Sequence, residues 1–144
     1  GNPGTGKTHL ATALAYQLCN SGYKVRFYTA GQLVTDLGEA SQQGRLASLQ
    51  ARLMKLDLLV VDELSYITFG RASAELLFQT LSNRYELGSV MITTNLPFSR
   101  WTDLFGDATL TTALVDRLAH RAIILDMNGE SYRLRETTQQ KQAH

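Results

Sequence analysis

The first eight residues, Gly1-Asn2-Pro3-Gly4-Thr5-Gly6-Lys7-Thr8, constrain this chain more than anything that follows. The spacing G-x-x-x-x-G-K-T needs a backbone that turns tightly enough for successive N–H groups to point at one anion. Glycine adopts the required dihedrals without steric cost. A helix must start directly behind the loop, so that its positive end faces the same anion. Lys7 then brings a mobile positive charge to the β- and γ-phosphates of a nucleotide, and the Thr8 hydroxyl is placed to ligate Mg2+. A glycine-rich turn without a nucleotide is the competing reading, but the full motif rarely arises by chance. The candidate ATP site is thus Gly1, Asn2, Pro3, Gly4, Thr5, Gly6, Lys7, Thr8 and His9. A phosphate loop normally follows a buried strand, and nothing precedes Gly1, so the chain reads as a piece of a longer protein.

Behind the loop, helical and extended patterns alternate. Leu10, Ala11, Ala13, Leu14, Ala15 and Leu18 make a helix apolar around most of its circumference, which predicts burial, and Asn20-Ser21-Gly22 stops it. Val25, Phe27 and Thr29 alternate with Lys24, Arg26 and Tyr28 as in a half-buried strand. Helical stretches follow around Gln32 to Ala40 and Leu46 to Met54. Leu58-Leu59-Val60-Val61 reads as a fully buried parallel strand, and Val90-Met91-Ile92-Thr93 as a second, with Ala74, Leu77, Phe78, Leu81 and Tyr85 at helical spacing between them. Further helices are expected from Ser99 to Phe105 and Leu110 to Leu118. A third apolar strand is expected over Ala122-Ile123-Ile124-Leu125, with a hairpin at Asn128-Gly129. This order specifies an α/β three-layer sandwich, an open and mainly parallel sheet ending in a C-terminal β-hairpin. Residues 1–136 form its core and 137–144 a polar tail. Ligands of such sheets bind at the carboxyl ends of the strands.

Asp62 and Glu63 end the first buried strand. Asp62 suits the acid that holds Mg2+, and Glu63, one residue on and projecting differently, suits a base that deprotonates an attacking water. An ordinary solvated strand end is the alternative, and the preceding loop weighs against it. Asn95, past the second buried strand, is either a γ-phosphate sensor or a turn former ahead of Leu96-Pro97. Arg117 is either an arginine finger reaching a neighbouring subunit or an exposed helix arginine. Trp101 and Phe105 read as core anchors, and Arg45, Arg52 and Lys55 as a solvated face that is also the best basic patch for DNA.

Composition sets the outer limits. With 144 residues and 44% hydrophobic content, one domain can bury a sizeable core. The net charge of +1 excludes polyanion binding by bulk charge. The lone Cys19 cannot form an internal disulfide and is expected as a buried thiol in a reducing compartment. The three histidines are too dispersed for a zinc site. No apolar run reaches the roughly 18 to 20 residues that cross a bilayer. A cytoplasmic protein with no membrane partner is expected.

The order of particular segments resembles the IstB-like ATPases, AAA+ P-loop NTPases that help insertion-sequence transposases. These are Gly-x-Pro-Gly-Thr-Gly-Lys-Thr-His-Leu-Ala, Leu-Leu-Val-Val-Asp-Glu-Leu-Ser-Tyr, Asn-Arg-Tyr-Glu, Thr-Thr-Asn-Leu-Pro-Phe, Trp-Thr-Asp-Leu-Phe-Gly-Asp, Asp-Arg-Leu and Gly-Glu-Ser-Tyr-Arg. The loop and acid pair are shared by many ATPases. Segments 83–86, 95–105 and 129–133 are more particular, and they separate the chain from the related DnaC-like helicase loaders.

The resemblance implies a homo-oligomer with ATP at subunit boundaries, which assembles on DNA and recruits or activates a transposase. It implies Lys7 and Thr8 for nucleotide and Mg2+, Asp62 and Glu63 for metal and hydrolysis, Asn95 as sensor and Arg117 as finger. The helical pair from Gln32 to Met54 corresponds to a region that approaches DNA in related initiators, and Tyr66 is a weaker DNA candidate. Three alternatives stay open: a helicase loader of the same fold, a P-loop kinase acting on a small molecule, and a nucleotide-regulated binding module with negligible hydrolysis.

Overall fold

The computed structural model describes residues 1–65, 70–85 and 87–131. Its centre is β2 (Leu58–Asp62), whose five residues are all buried. An unbroken Leu/Val run has no polar face to show to water, so it needs a strand on each side and helices above and below. β1 (Val25–Thr29) pairs with it in parallel from Val25 opposite Leu58 to Thr29 opposite Asp62. β3 (Ser89–Ile92) pairs on the other side from Ser89 opposite Leu58 to Ile92 opposite Val61. The order β1-β2-β3 brings all three carboxyl ends to one rim, with Asp62 in the middle.

Helices cover both faces. α1 (Lys7–Asn20) lies against Leu58, Val60 and Val25 through Ala11, Ala15 and Leu18. On the opposite face α2 (Ala30–Gln42), α3 (Leu46–Met54), α4 (Arg71–Arg84), α5 (Thr102–Phe105) and α6 (Ala108–His120) build the larger core around Leu33, Leu37, Leu59, Val61, Leu77 and Leu114. Two of these helices begin on side-chain caps. The Thr29 hydroxyl accepts from Gln32 N–H at 3.2 Å, and the Asp107 carboxylate accepts from Leu110 N–H at 2.9 Å. Trp101 is buried, stacks edge-on with Phe98 at 4.9 Å, and donates its indole N–H to Leu96 O, as a core anchor should.

Four expectations need correction. α1 is not buried all round: Ala11 and Ala15 face the sheet, while Leu10, Leu14 and Tyr16 are exposed, because among the described residues α1 alone forms the helical cover of that face. Cys19 is exposed for the same reason. In the edge strand β1 the buried side chain is Tyr28, not Phe27, since the thicker helical layer lies on the Tyr28 side. Finally, residues 122–128 form no strand, and Ile123 is 90% exposed. A strand exists only through its ladder, and this segment has no described strand beside it. Its Met127 carbonyl instead accepts from Asn2 N–H at 3.1 Å. The second arm of the expected hairpin and the polar tail lie outside the described residues.

Arg84 holds the opposite end of the sheet together. It is 1% exposed, and its guanidinium donates to the carbonyls of Leu53 (2.6 Å), Leu56 (2.9 Å) and Ser89 (2.9 Å). Burial depresses its pKa and nearby Asp57 partly offsets this. Gly88 is required there, because a Cβ would collide with the guanidinium. Arg84→Ala strands those carbonyls, and urea denaturation is expected to show a loss of about 3 kcal/mol.

Candidate nucleotide site

The phosphate loop closes on itself through the geometry its sequence requires. Gly4 and Gly6 have φ of 74° and 90°, the left-handed region in which a Cβ is strained. Gly4 also lacks room, since a Cβ there would meet the Ser131 side chain. The Lys7 ammonium donates to Gly1 O at 3.0 Å, to Asn2 O, and lies 3.4 Å from the Thr5 hydroxyl. α1 starts at Lys7, so its first N–H groups open into the loop. His9 is on the exposed side of the first turn.

The loop meets the rim of the sheet at Asp62. The Thr8 hydroxyl lies 3.1 and 3.0 Å from the two carboxylate oxygens of Asp62, which is 1% exposed. Thr93, at the end of β3, donates its hydroxyl proton to Asp62 Oδ1 and accepts the Glu63 N–H at 2.9 Å. Glu63 is exposed and has φ of 60°, the only non-glycine residue with positive φ among those described. Such a conformation costs about 1–2 kcal/mol and persists where surrounding bonds impose it. Here they do: Leu64 N–H donates to Thr93 O at 2.9 Å, and the Thr94 hydroxyl donates to Leu64 O.

This rim brings Gly1, Lys7, Thr8, Asp62 and Glu63 together. Asn95 is exposed just past Thr94, whose carbonyl accepts from the Gly1 nitrogen at 3.2 Å, so it stands beside the loop. Arg117 is not part of the cluster; it lies exposed in the last turn of α6. Arg45, Arg52 and Lys55 are exposed along α3, and helical geometry spreads them over an arc of about 80°. Tyr66 lies outside the described residues. Sequence reasoning missed Thr93 as a site residue. The available signal was a hydroxyl at the end of the strand beside the acid pair.

A buried carboxylate met by two hydroxyls is a hard oxygen donor set, and it fits a small divalent cation. Among the described residues no three or more His, Cys, Asp or Glu side chains group as a metal site. Among these residues no helix is long and apolar enough to cross a membrane.

An open parallel sheet with a phosphate loop at its rim and an acid pair at the end of the central strand defines a P-loop NTPase fold. Solved structures share that fold. AMPPCP-bound DnaA from Aquifex aeolicus matches with a TM-score of 0.75 at 17% identity, over 100% of this chain and 44% of that one. The DnaC helicase loader matches at 0.73 and 21% identity, over 89% and 75%. Residues 1–140 match the model of the IstB-like ATP binding proteins, and the chain belongs to that family. It is 42% identical to the insertion sequence IS5376 ATP-binding protein of Geobacillus stearothermophilus, over 99% of this chain and 57% of that protein. It is 41% identical to the insertion sequence IS21 ATP-binding protein of Pseudomonas aeruginosa, over 94% and 51%. The chain thus spans about half the length of these relatives.

Proposed function

We propose that this chain is the ATP-binding and ATP-hydrolysing core of an insertion-sequence helper that oligomerises on DNA and recruits or activates a transposase. The observation that supports hydrolysis most directly is the meeting of Thr8 with Asp62, with Glu63 next in sequence and turned to solvent. The relatives' names, as ATP-binding proteins of insertion sequences, support the biological setting.

In this reading the loop N–H groups and Lys7 bind the β- and γ-phosphates. Thr8 and Asp62 hold Mg2+, which neutralises phosphate charge when bound. Glu63 accepts a proton from water as its oxygen bonds to the γ-phosphorus and the bond to the β–γ bridging oxygen breaks. Asn95 contacts the γ-phosphate in this reading, which its exposed position just past Thr94 supports. Arg117, exposed and outside the cluster, serves a neighbouring subunit's nucleotide, which makes turnover depend on assembly.

The test is ATP turnover with and without duplex DNA, combined with sedimentation in ATP and a pull-down against an insertion-sequence transposase. Turnover that rises with DNA and assembly supports the reading. Capture of a replicative helicase in place of the transposase would favour the helicase-loader alternative, which rests on the fold shared with the DnaC loader. The α3 face yields a separate expectation. Replacing Arg45, Arg52 and Lys55 together with Ala weakens DNA binding, and the slope of log affinity against log salt flattens by about 2 to 3. An unchanged slope places the DNA elsewhere.

A further inference from the structure

Thr93 has a second role beyond ending a strand. We propose that its hydroxyl is the positioning group of the hydrolytic site, setting the Asp62 carboxylate and the Glu63 backbone together from the neighbouring strand. The inference rests on the hydrolytic reading above and adds to it a residue that acts through Asp62 and Glu63.

A threonine hydroxyl has one proton to give and lone pairs to receive. At Thr93 both are committed: the proton goes to Asp62 Oδ1, and a lone pair takes the Glu63 N–H at 2.9 Å. The residue is 9% exposed, so water is a poor substitute partner. The two acceptor and donor groups belong to consecutive residues with different tasks. One carboxylate oxygen is turned by Thr93 while both lie near the Thr8 hydroxyl, which fixes the orientation in which Asp62 faces the phosphate loop. The peptide nitrogen that Thr93 receives is the entry to the left-handed turn at Glu63, whose φ of 60° directs the carboxylate outward.

The other side of that turn is held by the same strand end. Leu64 N–H bonds to Thr93 O, and the Thr94 hydroxyl bonds to Leu64 O. Thr94 O in turn accepts from the Gly1 nitrogen. The tip of β3 therefore ties the start of the phosphate loop, the metal-binding acid and the base's backbone into one hydrogen-bonded unit. A change in the loop on nucleotide binding has a short route to Glu63 that runs through Thr93 and Thr94.

The experiment compares the full chain with Thr93→Val, Thr93→Ala and Thr93→Ser. Hydrogen exchange at the Glu63 amide reads the backbone link without any nucleotide. Titration of a fluorescent ATP analogue with and without Mg2+ reads Asp62. Steady-state ATP turnover reads the outcome. In Val and Ala the Glu63 amide is expected to exchange about 10-fold faster or more, and Mg2+-dependent affinity and kcat to fall about 10- to 100-fold. Affinity without Mg2+ should stay near the parent value, and Ser should restore all three readouts to within about threefold. Parental exchange and turnover in Val or Ala overturn the proposal, as does a Ser variant as impaired as Val, which would assign the effect to the lost methyl group. Equal loss of affinity with and without Mg2+ also overturns it. A parent chain that hydrolyses no ATP under any condition sinks the hydrolytic reading, whereas the positioning of Asp62 and Glu63 by Thr93 then fails if exchange and Mg2+-dependent affinity stay parental in Val and Ala.

Discussion

Replacing Glu63 with Gln is expected to leave ATP binding within about threefold of the parent chain and to lower turnover by about 10²- to 10⁴-fold. Glutamine keeps the size and hydrogen-bonding reach of glutamate but cannot accept a proton from water. The fold should tolerate the change, because Glu63 is exposed and its left-handed turn is held through backbone atoms by Thr93 and Thr94. Binding should survive as well, because in the proposed site the phosphates face Lys7 and the loop instead. The variant therefore separates binding from hydrolysis, and in the proposed assembly it should accumulate on DNA with ATP retained. Single-turnover cleavage of labelled ATP and an equilibrium titration check the two halves. Turnover at the parental rate would assign the proton to another group and leave Glu63 as a solvated strand end.

The contrast with Asp62 shows why adjacent acids behave differently. Asp62 is 1% exposed and hydrogen-bonded to two hydroxyls, so neutralising it disturbs a packed network as well as a metal site. Removing the Glu63 charge disturbs neither. One residue of strand pleat and one positive φ separate a buried acid from an exposed one.

How much of this was legible in the sequence follows from the range of the interactions involved. The loop geometry depends on glycines within eight residues of one another, and the acid pair on a four-residue apolar run; both are local, and both fell where expected. The alternation of helices with Leu58–Asp62 and Ser89–Ile92 was equally plain, since buried parallel strands cannot hide their composition. What failed depended on neighbours. Ala122 to Leu125 has the composition of a strand, but a ladder needs a partner at its side and the pattern of one segment does not supply it. Cys19 and Leu14 carry apolar character on a helix whose outer side has no covering layer among the described residues. Thr93 and Arg84 became visible only when strands adjacent in space, not in sequence, put Asp62 and three carbonyls within their reach.

Lys7→Ala is expected to weaken ATP binding by about two orders of magnitude, through the loss of charge-assisted bonds worth about 1.5–3 kcal/mol each. The side chain does two things that must be told apart. Its ammonium bonds to the carbonyls of Gly1 and Asn2, which braces the loop, and the same group is the positive charge nearest the phosphate cradle. Bracing should matter to every nucleotide that enters the loop, whereas charge should matter more as phosphates are added. Titrations of ATP, ADP and AMP against parent and variant separate these effects. The expected order of loss is ATP over ADP over AMP, because an ammonium on a flexible stem acts at the β- and γ-phosphates. Lys7→Arg should recover little, since a planar fork cannot occupy the compact point at which an ammonium meets loop carbonyls and phosphate together. An equal loss for all three nucleotides would make Lys7 a residue that shapes the loop, and would leave its backbone N–H groups and the helix behind them as the principal attraction for phosphate.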